Sequence, residues 1–301
     1  MQSSRRLPAF IRRVSIVVVL AGLFGAILAQ PVSAVSVRRT WTAQVGTNGA
    51  NGTAVLQGYM TGPGSIHLAL SALQPSTSYP VVIFRGTCAS SSVIARMPSA
   101  VTDVDGGVTK TSPILARVMD KIWIYGRTGV IKVKIGTGAT ARCGILAYPV
   151  ATRIAIPSLG IDLPVVKPPP GYPLCNVAMY YQLLSQPREG GATLLYAHAR
   201  VGMFLPLLER SKVNNGASML GAAILVWTSD DILSTYKIVR VSRHVTTLDG
   251  AFAATTEQLW VQTSEGPHGT VGKLVVKAKR VSSVPSSRAS AHPTPRPLVC
   301  H

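Results

Sequence analysis

Between Val37 and Tyr148 the apolar residues recur at every second position, and short glycine-rich breaks interrupt them. Ile66, Leu68 and Leu70 alternate with His67 and Ala69, and Ile131, Val133 and Ile135 alternate with Lys132 and Lys134. A period of two places successive side chains on opposite faces of a strand, so one face is buried and the other wetted. Val81 to Phe84 is a continuous apolar run, as in a strand covered on both faces. The breaks fall at Gly46-Thr47-Asn48-Gly49, Gly62-Pro63-Gly64, Asp105-Gly106-Gly107 and Gly136-Thr137-Gly138. Their spacing predicts an antiparallel β-sandwich over 37–148, and an all-β chain.

The chain has 301 residues, 47% of them hydrophobic, which is enough for two cores. Thirty Lys and Arg against eleven Asp and Glu leave a net charge of +19, so polyanions such as anionic cell-envelope polymers are expected partners. The basic residues are scattered singly, without a basic helix, a zinc-finger spacing or an aromatic RNA-binding strand, which argues against nucleic acid.

Four arginines (Arg5, Arg6, Arg12, Arg13) precede an apolar run from Val14 to Ala29, and Val32-Ser33-Ala34 follows as a small-residue cleavage site. This layout predicts a signal peptide over 1–34 and an exported, cell-surface protein. Uncleaved, the same segment would be a short N-terminal membrane anchor, with Arg38 and Arg39 on its outer side. Cysteines outside the cytoplasm invite disulfides. Cys88 and Cys143 lie in the same strand-rich region, and joining them closes a loop of about 55 residues, worth roughly 4 kcal/mol in the chain-entropy model. Cys300 lies in a Ser, Pro and basic tail, 282–301, with too little apolar content to order itself. Cys175 is accordingly read as a small buried hydrophobe.

Within the first region, Ala72-Leu73-Gln74-Pro75-Ser76-Thr77-Ser78-Tyr79, running on to Gly86-Thr87-Cys88, resembles secreted superoxide-dismutase-like and chordin-type β-domains. A dismutase needs a histidine cluster for copper and zinc, and this region holds only His67, so no metal or other cofactor is expected. A spacer or adhesive module is the expected role.

The pattern changes near Tyr148. Arg153-Ile154-Ala155-Ile156 leads through Pro157-Ser158-Leu159-Gly160 into Ile161-Asp162-Leu163-Pro164-Val165-Val166. Further on, Thr193-Leu194-Leu195-Tyr196-Ala197-His198 is an apolar strand reaching a histidine, followed by Phe204-Leu205-Pro206-Leu207-Leu208 and Val213-Asn214-Asn215-Gly216. Leu259-Trp260-Val261-Gln262-Thr263-Ser264-Glu265-Gly266 and Gly272-Lys273-Leu274-Val275-Val276 complete the series. These landmarks, in this order over 151–281, resemble the catalytic domain of sortases, the cysteine transpeptidases of Gram-positive envelopes.

The resemblance implies an eight-stranded β-barrel with one or two short helices, such as one over 178–185, and a site with three positions. His198 stands at the sortase histidine, Ser264 where the nucleophilic cysteine belongs, and Lys273 where the arginine belongs. Both departures weaken the chemistry. A thiolate is accessible near neutral pH, whereas a serine hydroxyl needs a base to take its proton in the transition state. Lysine also gives up the planar guanidinium fork. The resemblance therefore implies a catalytically degenerate domain that binds a sorting-signal-like peptide or the cell wall. Two alternatives stay open. One is an acyltransferase or peptidase using Ser264 as nucleophile, with His198, Lys273 or the turn residue His268 as base. The other is a structural, cationic wall-binding protein.

Overall fold

The computed structural model describes residues 38–300, apart from 90, 129, 172 and 267–270. The expected leader over 1–34 and His268 lie outside the described residues. The described residues form one compact unit with two main hydrophobic cores. Among them, no helix is long and apolar enough to cross a membrane.

The first core is a sandwich. Its strands are β1 (Arg38–Gln44), β2 (Gly52–Tyr59), β3 (Gly64–Leu70), β4 (Ser78–Gly86), β5 (Ser91–Val101), β6 (Val108–Ile114), β7 (Ile131–Ile135) and β8 (Arg142–Leu146). They form two antiparallel four-stranded sheets, ordered β1-β2-β3-β6 and β5-β4-β7-β8. The period-two reading holds residue by residue. Ile66, Leu68 and Leu70 are buried, as are Ile131, Val133 and Ile135, while Lys132 and Lys134 are partly exposed on the other face of their strand. His67 also points away from this core and meets Thr111 Oγ1 at 2.9 Å. Cys88 is bonded to Cys143.

One element departs from the all-strand expectation for this region. Helix α1 (Ala116–Thr128) follows β6 and closes an open end of the sandwich core with Met119, Ile122 and Trp123. Its i, i+3, i+4 apolar spacing was overshadowed by the turn-rich pattern around it. The helix comes close because Gly58 and Gly64 lack side chains. A Cβ on Gly58 would meet Met119 Cε at 2.3 Å, and one on Gly64 would meet Met119 Sδ at 2.7 Å.

The second core fills a closed barrel. Its strands are β9 (Ala151–Ile156), β10 (Ile161–Val166), β12 (Ala178–Tyr180), β13 (Ala192–Tyr196), β14 (Ala223–Thr228), β15 (Ile232–Val245), β16 (Gln258–Ser264) and β17 (Lys273–Pro285), in the cyclic order β10-β12-β13-β16-β17-β15-β14-β9. Closure leaves no strand edge unpaired. A short pair, β11 (Leu174–Cys175) with β18 (Leu298–Val299), lies outside the barrel. Helices α2 (Leu205–Lys212), α3 (Asp249–Phe252) and α4 (Arg288–Ala291) are brief.

Three expectations are corrected here. Residues 178–185 are not a helix. Ala178, Met179 and Tyr180 are all buried in strand β12, whose parallel pairing with β10 takes up the backbone groups that a helix would use, and a turn follows. The tail 282–301 is not disordered over its described part. Ser282–Pro285 continue β17 against β15, Trp227 Nε1 donates to Ser286 Oγ at 3.0 Å, and His292 Nε2 meets Asp231 Oδ1 at 2.9 Å. Cys300 is bonded to Cys175, so Cys175 is not a free apolar filler. The tail is ordered by partners supplied elsewhere in the barrel, a source of order that composition does not register.

Sandwich and barrel are joined by a buried ion pair. Arg39 on β1, 2% exposed, binds Glu189 through both carboxylate oxygens, at 2.8 and 3.1 Å. The guanidinium is also covered by aromatic faces, 3.9 Å from the Tyr148 ring centre and 4.4 Å from that of Trp123. Burial pushes the Glu189 carboxyl up, and Arg39 opposes that rise. Removing Arg39 would strand a buried carboxylate. Arg39→Met is expected to destabilise by about 3–5 kcal/mol, and Arg39→Met with Glu189→Leu to recover most of the loss. Denaturant unfolding of the three proteins measures this, and equal stability of the single variant and the parent would refute it.

Candidate functional site

Strands β13 and β16 run parallel, pairing Ala192 with Gln258 through to Tyr196 with Gln262. Parallel neighbours end on the same rim of a barrel, so whatever follows Tyr196 lies beside whatever ends β16. The register continues past the strand proper, since the Ala197 amide donates to Gln262 O at 3.2 Å. Thr263, buried, donates its hydroxyl to Ala197 O at 2.8 Å. His198 is the next residue. Strand β17 returns antiparallel to β16 and pairs Ser264 directly with Lys273. The barrel thus brings His198, Ser264 and Lys273, all expected from sequence, to the lining of one cleft of about 750 Å³.

Each of the three is held. Lys273 Nζ donates to Ser264 Oγ at 2.8 Å. His198 Nε2 lies 3.0 Å from Pro173 O. A carbonyl oxygen only accepts, so Nε2 carries the hydrogen of this bond. Lys273 is placed by its neighbour Gly272, where a Cβ would sit 2.5 Å from the carbonyl carbon of His244. Only glycine permits that approach to β15.

Sequence reading missed Glu265. Its side chain is 1% exposed, and it accepts from the His244 amide at 2.6 Å and from Arg243 at 3.1 Å on β15. The carboxylate ties the turn after Ser264 to the neighbouring long strand. Its position immediately after Ser264 was legible, but its partners lie 21 and 22 residues away, across a β-bulge where Val245 pairs with Lys273. Reading also missed the placement of Cys175 and Cys300, whose sulfurs lie within 4.8 Å of a His198 ring nitrogen.

No family model and no curated protein matches the sequence. Among solved structures the chain is similar to Group B Streptococcus pilus island 1 sortase C2, at 22% identity and a TM-score of 0.36, over 43% of this chain and 73% of that one. It is also similar to a pilus-related sortase C of Group B Streptococcus, at 16% identity and a TM-score of 0.37, over 44% and 67% of the two chains. Sortase A of Listeria monocytogenes shows 19% identity and a TM-score of 0.37, over 48% and 97%.

The Glu265 clamp gives a direct expectation. Glu265→Ala leaves the Arg243 guanidinium and the His244 amide without their charged acceptor, so stability should fall by about 1–3 kcal/mol. The loosened turn should also change the environment of Ser264. Thermal unfolding together with amide exchange at residues 263–266 would test this, and protection unchanged from the parent would refute it.

Proposed function

We propose that the cleft binds an extended peptide and holds it without covalent turnover. The observation that supports this is the 2.8 Å hydrogen bond from Lys273 Nζ to Ser264 Oγ. A lysine ammonium has three donors and no acceptor, so it occupies a hydroxyl lone pair and cannot take the hydroxyl proton. A serine acts as a nucleophile only when a base removes that proton. His198 Nε2 donates to Pro173 O, so that nitrogen holds a hydrogen and is not the base.

Peptide binding suits the lining. Residues 197–200 and 262–266 border the cleft, and strand-end amides and carbonyls can pair with an extended chain. A sorting-signal-like peptide, carried by another exported protein, is the partner this reading implies. The net charge of +19 supports an accompanying attraction to anionic envelope polymers, which salt should weaken and peptide binding in the cleft should largely survive.

One observation favours a second reading, serine acyl transfer. At 2.8 Å, a lysine in its neutral form would be placed to take the Ser264 proton. A serine-directed fluorophosphonate probe separates the two: the parent protein is expected to stay unlabelled, whereas an activated Ser264 would label and Lys273→Met would abolish the label.

The surrounding strands also predict how activity could be installed. Ser264→Cys with Lys273→Arg supplies a thiolate and a guanidinium fork at positions already paired across β16 and β17. The double variant is expected to cleave sorting-signal peptides weakly, with either single variant far behind because both groups serve one transition state. Cleavage by the parent that disappears in Ser264→Ala would overturn the binding reading. A folded but inert double variant would show that the peptide groove itself is lost.

A further inference from the structure

We propose that Lys237, Lys279, Arg240 and Lys277, on the outer wall of the barrel, form a docking strip for a linear, phosphate-rich polyanion. Strands β15 and β17 pair Lys237 directly with Lys279 and Arg240 directly with Lys277. Their neighbours Tyr236, Ile238, Val276 and Ala278 fill the barrel core, so the four cations face outward together. Directly opposed side chains stand about 4.5–5.5 Å apart at Cβ, and residues two apart on one strand about 7 Å. Two cationic pairs in succession make a compact array along the strands.

Like charges directly opposed across a sheet are destabilising, and here two such pairs follow one another. The ion pairs among the described residues all involve other bases. Arg240 Nε donates to Ser242 Oγ at 3.1 Å, and Lys277 Nζ lies 3.8 Å from the centre of the Trp260 ring. Neither contact neutralises charge. Burial, and after it Arg240, pulls the Lys277 ammonium below its ordinary value. Lys237, Lys279 and Arg240 are exposed, and Lys277 is half-buried. An array that repels itself when empty and is relieved when anions bridge it marks a binding surface.

A row of phosphates laid along the strands meets both pairs at once and releases its counterions. Such a polymer suits the strip better than nucleic acid does. Trp260, the aromatic ring beside the strip, is 2% exposed beneath Lys277 and offers bases no stacking face. A lipid surface suits it less well too. The exposed large apolar residues of β15 and β17 are Val239, Val281 and Val284, whereas insertion at a membrane interface uses Trp, Phe or Leu. The proposal rests on the polyanion attraction inferred from net charge and gives it a location. It does not depend on what the cleft does.

The test titrates the full chain with fluorescent long-chain polyphosphate over a range of salt. Lys237→Gln with Lys279→Gln is compared with Lys121→Gln with Lys212→Gln, which removes the same charge from exposed lysines elsewhere. The strip variant should bind at least about tenfold more weakly at low salt, and its log K against log salt should flatten by about one per lysine removed. The control should lose less than about threefold. Without polymer, the strip variant should melt at or above the parent's Tm, since a repulsion has been removed. A lower Tm, or failure to fold, would overturn the claim that the strip repels itself. Equal loss in both variants would leave a diffuse attraction and overturn the location, whereas no polyphosphate binding by the parent would overturn the attraction itself. Oligothymidylate or phosphatidylglycerol vesicles bound through the strip at least tenfold more tightly, at equal phosphate, would overturn the choice of ligand.

Discussion

The buried pair between Arg39 and Glu189 ties the arrangement together, because it is where the sandwich grips the segment that sets the barrel's register. An ion pair removed from water recovers its desolvation cost only when its remaining hydrogen-bonding groups are satisfied. Glu189 accepts from Arg39 twice and from the Gln186 amide at 2.7 Å. Gln186 Oε1 in turn accepts from the Ala151 amide at the start of β9, at 3.0 Å. Arg39 completes its surroundings with Trp123 and Tyr148. Burial pushes the neighbouring Tyr180 hydroxyl up to about 12, in keeping with how dry this region is.

From that segment the chain enters β13 directly, and its last turn also fixes the start of β16. The Gln258 amide donates to Gly191 O at 2.9 Å, and Glu257 accepts from the Arg188 amide, from Tyr236 Oη and from Arg280. The parallel register of β13 and β16 is therefore set at one end of the strands and expressed at the other, where His198 and Ser264 emerge. A one-residue slip would turn the side chains of β13 inside out, moving Leu195 out of the core. Site geometry is thus a consequence of packing well away from the cleft.

Much of this was legible in the sequence, and the exceptions share a cause. Alternation told strand from loop because its period depends on one element alone: Ile131, Val133 and Ile135 need no distant partner to announce a buried face. His198, Ser264 and Lys273 were singled out because the landmarks around them resemble, in order and spacing, those of a known family. Residues 178–185 were misread because a short buried apolar run fits helix and strand alike, and only the neighbouring strands β10 and β13 decide. Tail order was invisible for the same reason. Ser286, His292 and Cys300 gain their partners from Trp227, Asp231 and Cys175, between 59 and 125 residues away. Composition measures whether a segment can order itself, not whether a finished barrel offers it a place.

The distribution of sulfur around the rim bears on the chemistry. At the end of β16, Ser264 is hydrogen-bonded to Lys273, and its hydroxyl is inert without a base. Sulfur is present near a His198 ring nitrogen, at Cys175 and Cys300. A thiol at position 264 would line the same cleft as His198, whose ring lies near this disulfide, and thiolates exchange with disulfides within reach. Serine at 264 removes that competing reaction while keeping a hydroxyl for Lys273 to bind. Ser264 and the second disulfide are thus chemically compatible neighbours of His198.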